Sequence, residues 1–299
     1  MSTGEREPAG GRAAGFDPNA YRQASLQSWE AAAGGWQRRQ ELMRQFAGAV
    51  SHWLIEAISP QPGQRVLELA GGIGETGMLA AALVAPLGGV IISDQAQAML
   101  DSARERASEL GLSNVEFQVL NAEWIDLPLA SVDAVLCRWG YMLMADPAAA
   151  LAETRRVLRP GGRVALAVWD KLEHNPWALL PAQELIARGL ATPPNPGAPS
   201  PPGPFALADT QLVRELLAQA GFLDVRVHAL DLVRRQASFA ELWESTLDMS
   251  PSFHDAVLSR PAGEIAEIEA SLAERFAPYT SEDGTLEIPG RTLVACAEA

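Results

Sequence analysis

Residues Gly72-Ile73-Gly74-Glu75-Thr76-Gly77 spell G-x-G-x-x-G. Glycines at this spacing let the backbone approach a ligand closely. A helix that starts there offers unpaired N–H groups to it. Asp94 lies 20 residues beyond Gly74, where a carboxylate accepts hydrogen bonds from ribose hydroxyls. A nucleoside ligand is therefore expected. Glu68, just before the loop, helps to choose between nucleosides. Its charge would oppose the diphosphate of a dinucleotide and would suit a ligand carrying positive charge. Such an attraction is worth about 1–4 kcal/mol at ~4 Å, before desolvation.

The surrounding elements suit that task. Arg65–Leu69 is a short strand, followed by the glycine loop and an alanine-rich helical stretch to Val84. Val90–Ser93 is a second strand. Ala96, Met99, Leu100, Ala103, Ala107 and Leu110 then recur at helical spacing, and Gly111 stops that helix. Val115–Leu120, Val132–Cys137 and Val164–Trp169 are further strands, and Pro147 opens a helix running to Leu158. Arg159–Gly162 reads as a turn. Alternating strands and helices of this kind imply a parallel sheet with helices on both faces, and ligands collect at the rim where strand order reverses.

Taken together, these segments resemble class I S-adenosylmethionine-dependent methyltransferases, in their quinone-biosynthesis-like small-molecule branch. VLELAGGIG resembles that family's first motif, with Glu68, Ala70, Gly71, Gly72 and Gly74 in place; Ala70 stands where glycine is commoner. VIISDQAQAML resembles the second, with Asp94 at the ribose position, then Gln95 and Met99. LNAEWIDLP resembles the third, where an acidic residue usually meets the adenine amine and the next backbone N–H a ring nitrogen. Here those positions hold Asn121 and Ala122, with Glu123 as a substitute acid. VDAVLCRWGYMLMADP resembles the fourth-strand motif and places Arg138 near the methionine end of the cofactor. RRVLRPGGRVALAVW resembles the turn and fifth strand. The resemblance implies a Rossmann-like α/β fold with a seven-stranded, mostly parallel sheet, N-terminal helices, a helical insert before the last strand, and S-adenosyl-L-methionine as cofactor.

Methyl transfer is an in-line displacement, so the acceptor must be aligned, water excluded and, where the nucleophile carries a proton, that proton removed. His174, just past the fifth strand, is the first candidate base. Tyr141 is the second, as a phenol that orients an acceptor hydroxyl. Trp36, Trp139, Tyr141, His174 and Trp177 are the candidate acceptor contacts, and their apolar, aromatic character points to a hydrophobic aromatic, quinone-like or polyketide-like small molecule. Neither clustered carboxylates nor paired histidines announce a metal, and there is no G-x-S-x-G. Two other readings keep the same cofactor: a non-methylating reaction that uses the sulfonium as a fixed charge (decarboxylation, hydroxylation or cyclisation), or a non-catalytic binding module. A nicotinamide oxidoreductase is a further alternative.

Composition sets the outer bounds. With 23 basic and 37 acidic residues the formal charge is −14, a field that repels nucleic acid. Two cysteines, Cys137 and Cys296, cannot make a disulfide framework, which suits a reducing cytoplasm. The longest charge-free apolar run, Met78–Ile92, is broken by Pro86 and is too short to span a membrane. The chain divides into a disordered tail at 1–15, a helical cap at 16–60, a cofactor-binding core at 61–170, and a remainder at 171–299. That remainder holds a proline-rich loop at 192–204, a helical acceptor-binding insert and the last strands. Apolar helix faces are compatible with a homodimer.

Overall fold

The computed structural model describes residues 16–193 and 201–299. The expected tail, and most of the proline-rich loop, lie outside the described residues.

Seven strands form one sheet: β1 (Arg65–Glu68), β2 (Gly89–Asp94), β3 (Val115–Val119), β4 (Val132–Arg138), β5 (Leu158–Trp169), β6 (Leu223–Gln236) and β7 (Leu286–Glu298). Their order is β3-β2-β1-β4-β5-β7-β6. Pairing is parallel from β3 through β5, and β7 runs antiparallel between β5 and β6. The seven-stranded, mostly parallel sheet read from the motifs is the observed fold. Val66, Leu67, Val135, Leu136 and Val164 to Val168 are all buried, as strands covered on both faces require. β1 lies between β2 and β4, so strand order reverses there and the rim opens a crevice at the carboxyl end of β1.

Helices cover both faces. Helix α1 (Pro18–Arg38) starts at Asp17, whose carboxylate accepts the N–H groups of Asn19 and Ala20. Helix α2 (Gln40–Ile58) buries Phe46, Val50 and Leu54 in the main core. Next come α3 (Glu75–Val84), α4 (Gln97–Glu109), α5 (Pro147–Val157), α6 (Pro176–Ala187) and α7 (Thr210–Gln219). The insert consists of α8 (Phe239–Met249), α9 (Pro251–Leu258) and α10 (Ala262–Phe276). It has its own apolar cluster, including Leu242, Trp243, Phe253, Val257, Ile268 and Leu272. No helix among the described residues is long and apolar enough to cross a membrane.

Three local readings change. Arg159–Gly162 does not separate a helix from a strand. It lies within β5 as an irregularity, where the register jumps from Val132↔Leu158 to Ala134↔Arg163 and Gly161 takes φ +76°. Strands β6 and β7 run well beyond Val225–Leu232 and Thr292–Ala297, the stretches legible as strands in the sequence, because polar residues hide the alternation there, with Arg234 and Gln236 of β6 buried. Helix α6 has no counterpart in the sequence reading, since Pro181 within it masks its periodicity.

Candidate functional site

The crevice is built by the turn between β1 and α3. Gly71 N–H donates to Ser93 O at 2.8 Å, and Ser93 Oγ donates to Glu68 O at 2.7 Å, which ties the turn to β2. The glycines divide their work. A Cβ at Gly71 or Gly77 would stand 2.9 or 2.5 Å from Glu68 Oε2, and one at Gly74 2.9 Å from Met78. Those three positions are closed by packing. Gly72, at φ +54°, is different: a Cβ there would meet nothing within 4 Å. Its outward side is the open floor of the crevice. Ala70 also takes a left-handed conformation, φ +50°. It is accommodated because residue 140 is glycine, where a Cβ would come within 2.6 Å of the Ala70 methyl.

Asp94 shapes the next wall. Its carboxylate accepts from Gly72 N–H and from Ala96 N–H, both at 2.9 Å, so it binds the glycine turn to the start of the next helix. Burial raises its pKa, and those backbone donors oppose the rise. Each oxygen keeps lone-pair capacity for a further donor. Met99 packs beneath, beside Ile73, Ala96 and Trp36. Gln95 donates to Ser25 Oγ of α1 at 3.2 Å. Beyond β3, the exposed Asn121 accepts Glu123 N–H at 2.9 Å in a local turn, and Ala122 is buried. Glu123 is held by Arg22 of α1 at 2.6 Å and by Ala145 N–H at 2.9 Å.

Glu68 does not hold the place expected of it. It is 2% exposed and accepts Gly77 N–H at 3.0 Å, on the α3 side of the turn. Burial pushes its pKa up to about 8, against the lowering effect of Arg138 and of the Gly77 N–H. Burial therefore opposes the charge on which the choice of a cationic ligand rests, and that Coulomb argument is weakened. Its physical role is to hold the first turn of α3. Arg138 is likewise engaged: Nη2 lies 2.6 Å from Glu75 Oε2, and Nη1 donates to Ser51 Oγ at 2.7 Å.

Helix α1 lies across this crevice, a role with no local signature in the sequence. Tyr21 donates to Leu143 O at 2.9 Å, and Glu30 accepts the N–H groups of Gln97 and Ala98 at 2.7 and 3.0 Å, capping α4 from outside. At its far end Arg39 pairs with Asp248 at 2.6 Å, and Gly35 lies so close that a Cβ would be 2.1 Å from Asp248 O. Trp36 Nε1 is buried with no hydrogen-bond partner. A buried unpaired donor is costly, and this one stands among the residues beside the glycine turn.

The comparisons bear on the same segment. Residues 66–162 match the family described as "Methyltransferase domain". The chain is 36% identical over 121 residues to the ubiquinone/menaquinone biosynthesis C-methyltransferase UbiE of Pseudoalteromonas translucida, covering 40% of this chain and 48% of that one. It is 40% identical over 124 residues to an uncharacterized 37.1 kDa protein in transposon TN4556 of Streptomyces fradiae, covering 40% and 34%. Thus the chain spans about half the length of the curated UbiE relatives it matches. Among solved structures, the YcgJ protein of Bacillus subtilis superposes with TM-score 0.55 at 18% identity, over 84% of this chain and 98% of that one. Residues 66–162 thus match a methyltransferase domain, and the sheet around them has the class I methyltransferase fold. S-adenosylmethionine is the cofactor of that class, and the open floor at Gly72, the Asp94 carboxylate and the unpaired Trp36 donor fit a nucleoside with polar ends.

An aromatic cluster gathers around the ends of β4 and β5. Trp139 and Trp169 stack at 4.1 Å between centroids, Phe46 of α2 stacks on Trp169 at 5.9 Å, and Trp177 leans on Trp169 at 4.8 Å. Trp139 Nε1 donates to Thr292 Oγ1 at 3.0 Å. The ring expected to face an acceptor is thus spent on its neighbours, and Trp139 is only 8% exposed. Tyr141 needs a firmer correction. It is fully buried, its hydroxyl is 2.6 Å from Thr154 Oγ1, and burial raises its pKa well above 10. A phenol held in this way cannot orient an acceptor. His174 behaves otherwise. Its side chain is 42% exposed, and its Nδ1 lies 2.7 Å from Asp170 Oδ2. From sequence, Asp170 is weighed only as a metal ligand and Asn175 only as a neighbour of His174; neither is tied to the orientation of His174, and the Asn-Pro step at 175–176 is the local signal that marks this turn.

Proposed function

We propose that this chain is an S-adenosylmethionine-dependent methyltransferase whose acceptor is a hydrophobic, ring-bearing small molecule of the quinol kind. The observation that carries the reading is the open, glycine-floored crevice at the strand-order reversal, walled by Asp94, in a segment that matches a methyltransferase family. When bound, the cofactor supplies an electrophilic methyl carbon on a positively charged sulfur.

The chain's own residues do the rest. Gly72 lets the backbone approach, and Asp94 accepts from ribose hydroxyls. Asn121 and Ala122 border the adenine end, and Arg138, fixed by Glu75 and Ser51, borders the methionine end. Trp36 offers its free indole N–H. Helix α1 covers the crevice and keeps water from it. His174 holds the acceptor's proton. The acceptor class is supported by the aromatic residues around the ends of β4 and β5, and by relatives named as quinone C-methyltransferases.

The test is incubation with methyl-labelled S-adenosylmethionine and menadiol as a quinol probe. Labelled methylmenadiol together with S-adenosylhomocysteine is expected. Calorimetry showing no binding of S-adenosylhomocysteine would overturn the reading. S-adenosylhomocysteine release without label on the probe would move the acceptor elsewhere.

A further inference from the structure

We propose that Asp170 is a positioning residue that holds His174 in one tautomer, so that its Nε2 is free to take a proton from an acidic O–H of the acceptor. The inference deepens the proposed methyl transfer and rests on it for its chemistry, though not for its geometry.

Asp170 follows the last residue of β5, on the rim beside the crevice. It is 7% exposed, and its N–H donates to Arg291 O on β7 at 3.1 Å. One carboxylate oxygen lies 2.7 Å from His174 Nδ1. A carboxylate can only accept, so the hydrogen in this contact belongs to Nδ1. In the neutral ring that leaves Nε2 without a proton, as a base needs.

The turn between the two residues is fixed independently. Asn175 is fully buried and donates to Asp170 O, Lys171 O and Arg291 O at 3.2, 3.1 and 3.1 Å. Its Oδ1 accepts from Arg291 N–H and from Trp177 Nε1, each at 3.0 Å. A Cβ at Gly290 would come within 3.3 Å of that oxygen, so β7 is cut back to admit the clamp. With its two amide hydrogens shared among three carbonyls and its oxygen accepting twice, this one side chain holds the loop at β5 against β7. The imidazole is the exposed part of an otherwise rigid unit. A histidine oriented only for surface solvation has no need of a buried carboxylate behind it.

The step balances simply. The acceptor's O–H proton passes to His174 Nε2, and the O–H electron pair stays with the acceptor. That acceptor, through oxygen or the conjugated ring carbon, forms the new bond to the methyl carbon; on the carbon route the ring C–H proton then leaves and the oxygen takes up a proton, which restores the quinol. The pair of the broken carbon–sulfur bond stays on sulfur. Acceptors with a phenolic or enolic O–H fit this device, whereas a quaternising amine has no proton that must leave first.

The test uses the full chain labelled with 15N. It contains four histidines, and His174→Gln assigns the ring signals of interest. Long-range 1H–15N correlation spectra of the neutral ring are expected to show the Nδ1–H tautomer for His174. In Asp170→Ala the signal should revert to the Nε2–H form that an unrestrained imidazole favours. In that variant, labelled methyl transfer to menadiol should fall roughly 10²-fold, while S-adenosylhomocysteine affinity stays within about twofold. Retained affinity also shows that the variant is folded. An Nε2–H tautomer in the wild type overturns the proposal, as does full transfer by Asp170→Ala. A wild type that binds S-adenosylhomocysteine and shows the Nδ1–H tautomer, yet leaves menadiol unlabelled, counts against the quinol acceptor and not against Asp170.

Discussion

Replacing Glu68 by glutamine removes one titrating group from the core with little change of shape. In the folded chain Glu68 has its pKa pushed up from 4.5 to about 8, chiefly by burial. The folded state therefore holds that proton more tightly than the unfolded state does. Its contribution to stability is complete below pH 4.5, falls as pH rises toward 8, and levels off above. The gap corresponds to about 5 kcal/mol in all, with roughly 3 kcal/mol already lost at pH 7. Glu68→Gln lacks this loss, and its amide oxygen can still accept Gly77 N–H. The added amide protons bring a cost that does not depend on pH, so the slope is the quantity to read. Urea unfolding followed by tryptophan fluorescence at several pH values between 5 and 9 gives it. Wild-type stability, taken relative to the variant, should fall by about 1.4 kcal/mol per pH unit up to roughly pH 8 and then flatten. A difference that stays constant across that range would refute both the buried placement of this carboxyl and its protonation near neutrality.

Other changes follow from the same geometry. Gly140→Ala should cost about 1–3 kcal/mol by overpacking, since the new methyl would meet Ala70 Cβ and Cys137 Sγ, each at 2.6 Å. Adding Ala70→Gly should recover part of that loss, and a double-mutant cycle in urea measures the coupling. Thr292→Val strands the indole N–H of Trp139 and should lower stability by about 1–3 kcal/mol in the same assay. Asp94→Ala orphans two backbone donors beside the glycine turn; calorimetry should show S-adenosylhomocysteine affinity falling at least 10-fold, with unchanged affinity contradicting the assigned wall. Glu30→Ala removes the external cap of α4 and should speed amide exchange in the α4 first turn, with about 1 kcal/mol of stability lost.

Much of the cofactor side is local in origin and so was legible in the residues themselves. A glycine turn between a buried strand and a helix is a short-range construction, and apolar strands alternating with helices leave few choices of topology. Gly72, Asp94 and Met99 come together because two successive strand–helix units place them on one rim. The family resemblance implied a seven-stranded, mostly parallel sheet; its order and the antiparallel course of β7 come from the structure. The boundaries that shifted did so where a burial pattern depends on a distant partner, as for Arg234 and Gln236 in β6 beneath the insert.

What the residues alone determined is therefore the sheet, its glycine-floored crevice and the class of ligand that fits there, because neighbours in sequence dictate them. Tertiary packing decided how each candidate is used. Packing drew Glu68 inward and raised its pKa, spent Tyr141 on Thr154, stacked Trp139 on Trp169, laid α1 over the crevice, and set Asp170 behind His174. Protonation, exposure and tautomer depend on surroundings brought from far along the chain, and no local pattern encodes those surroundings.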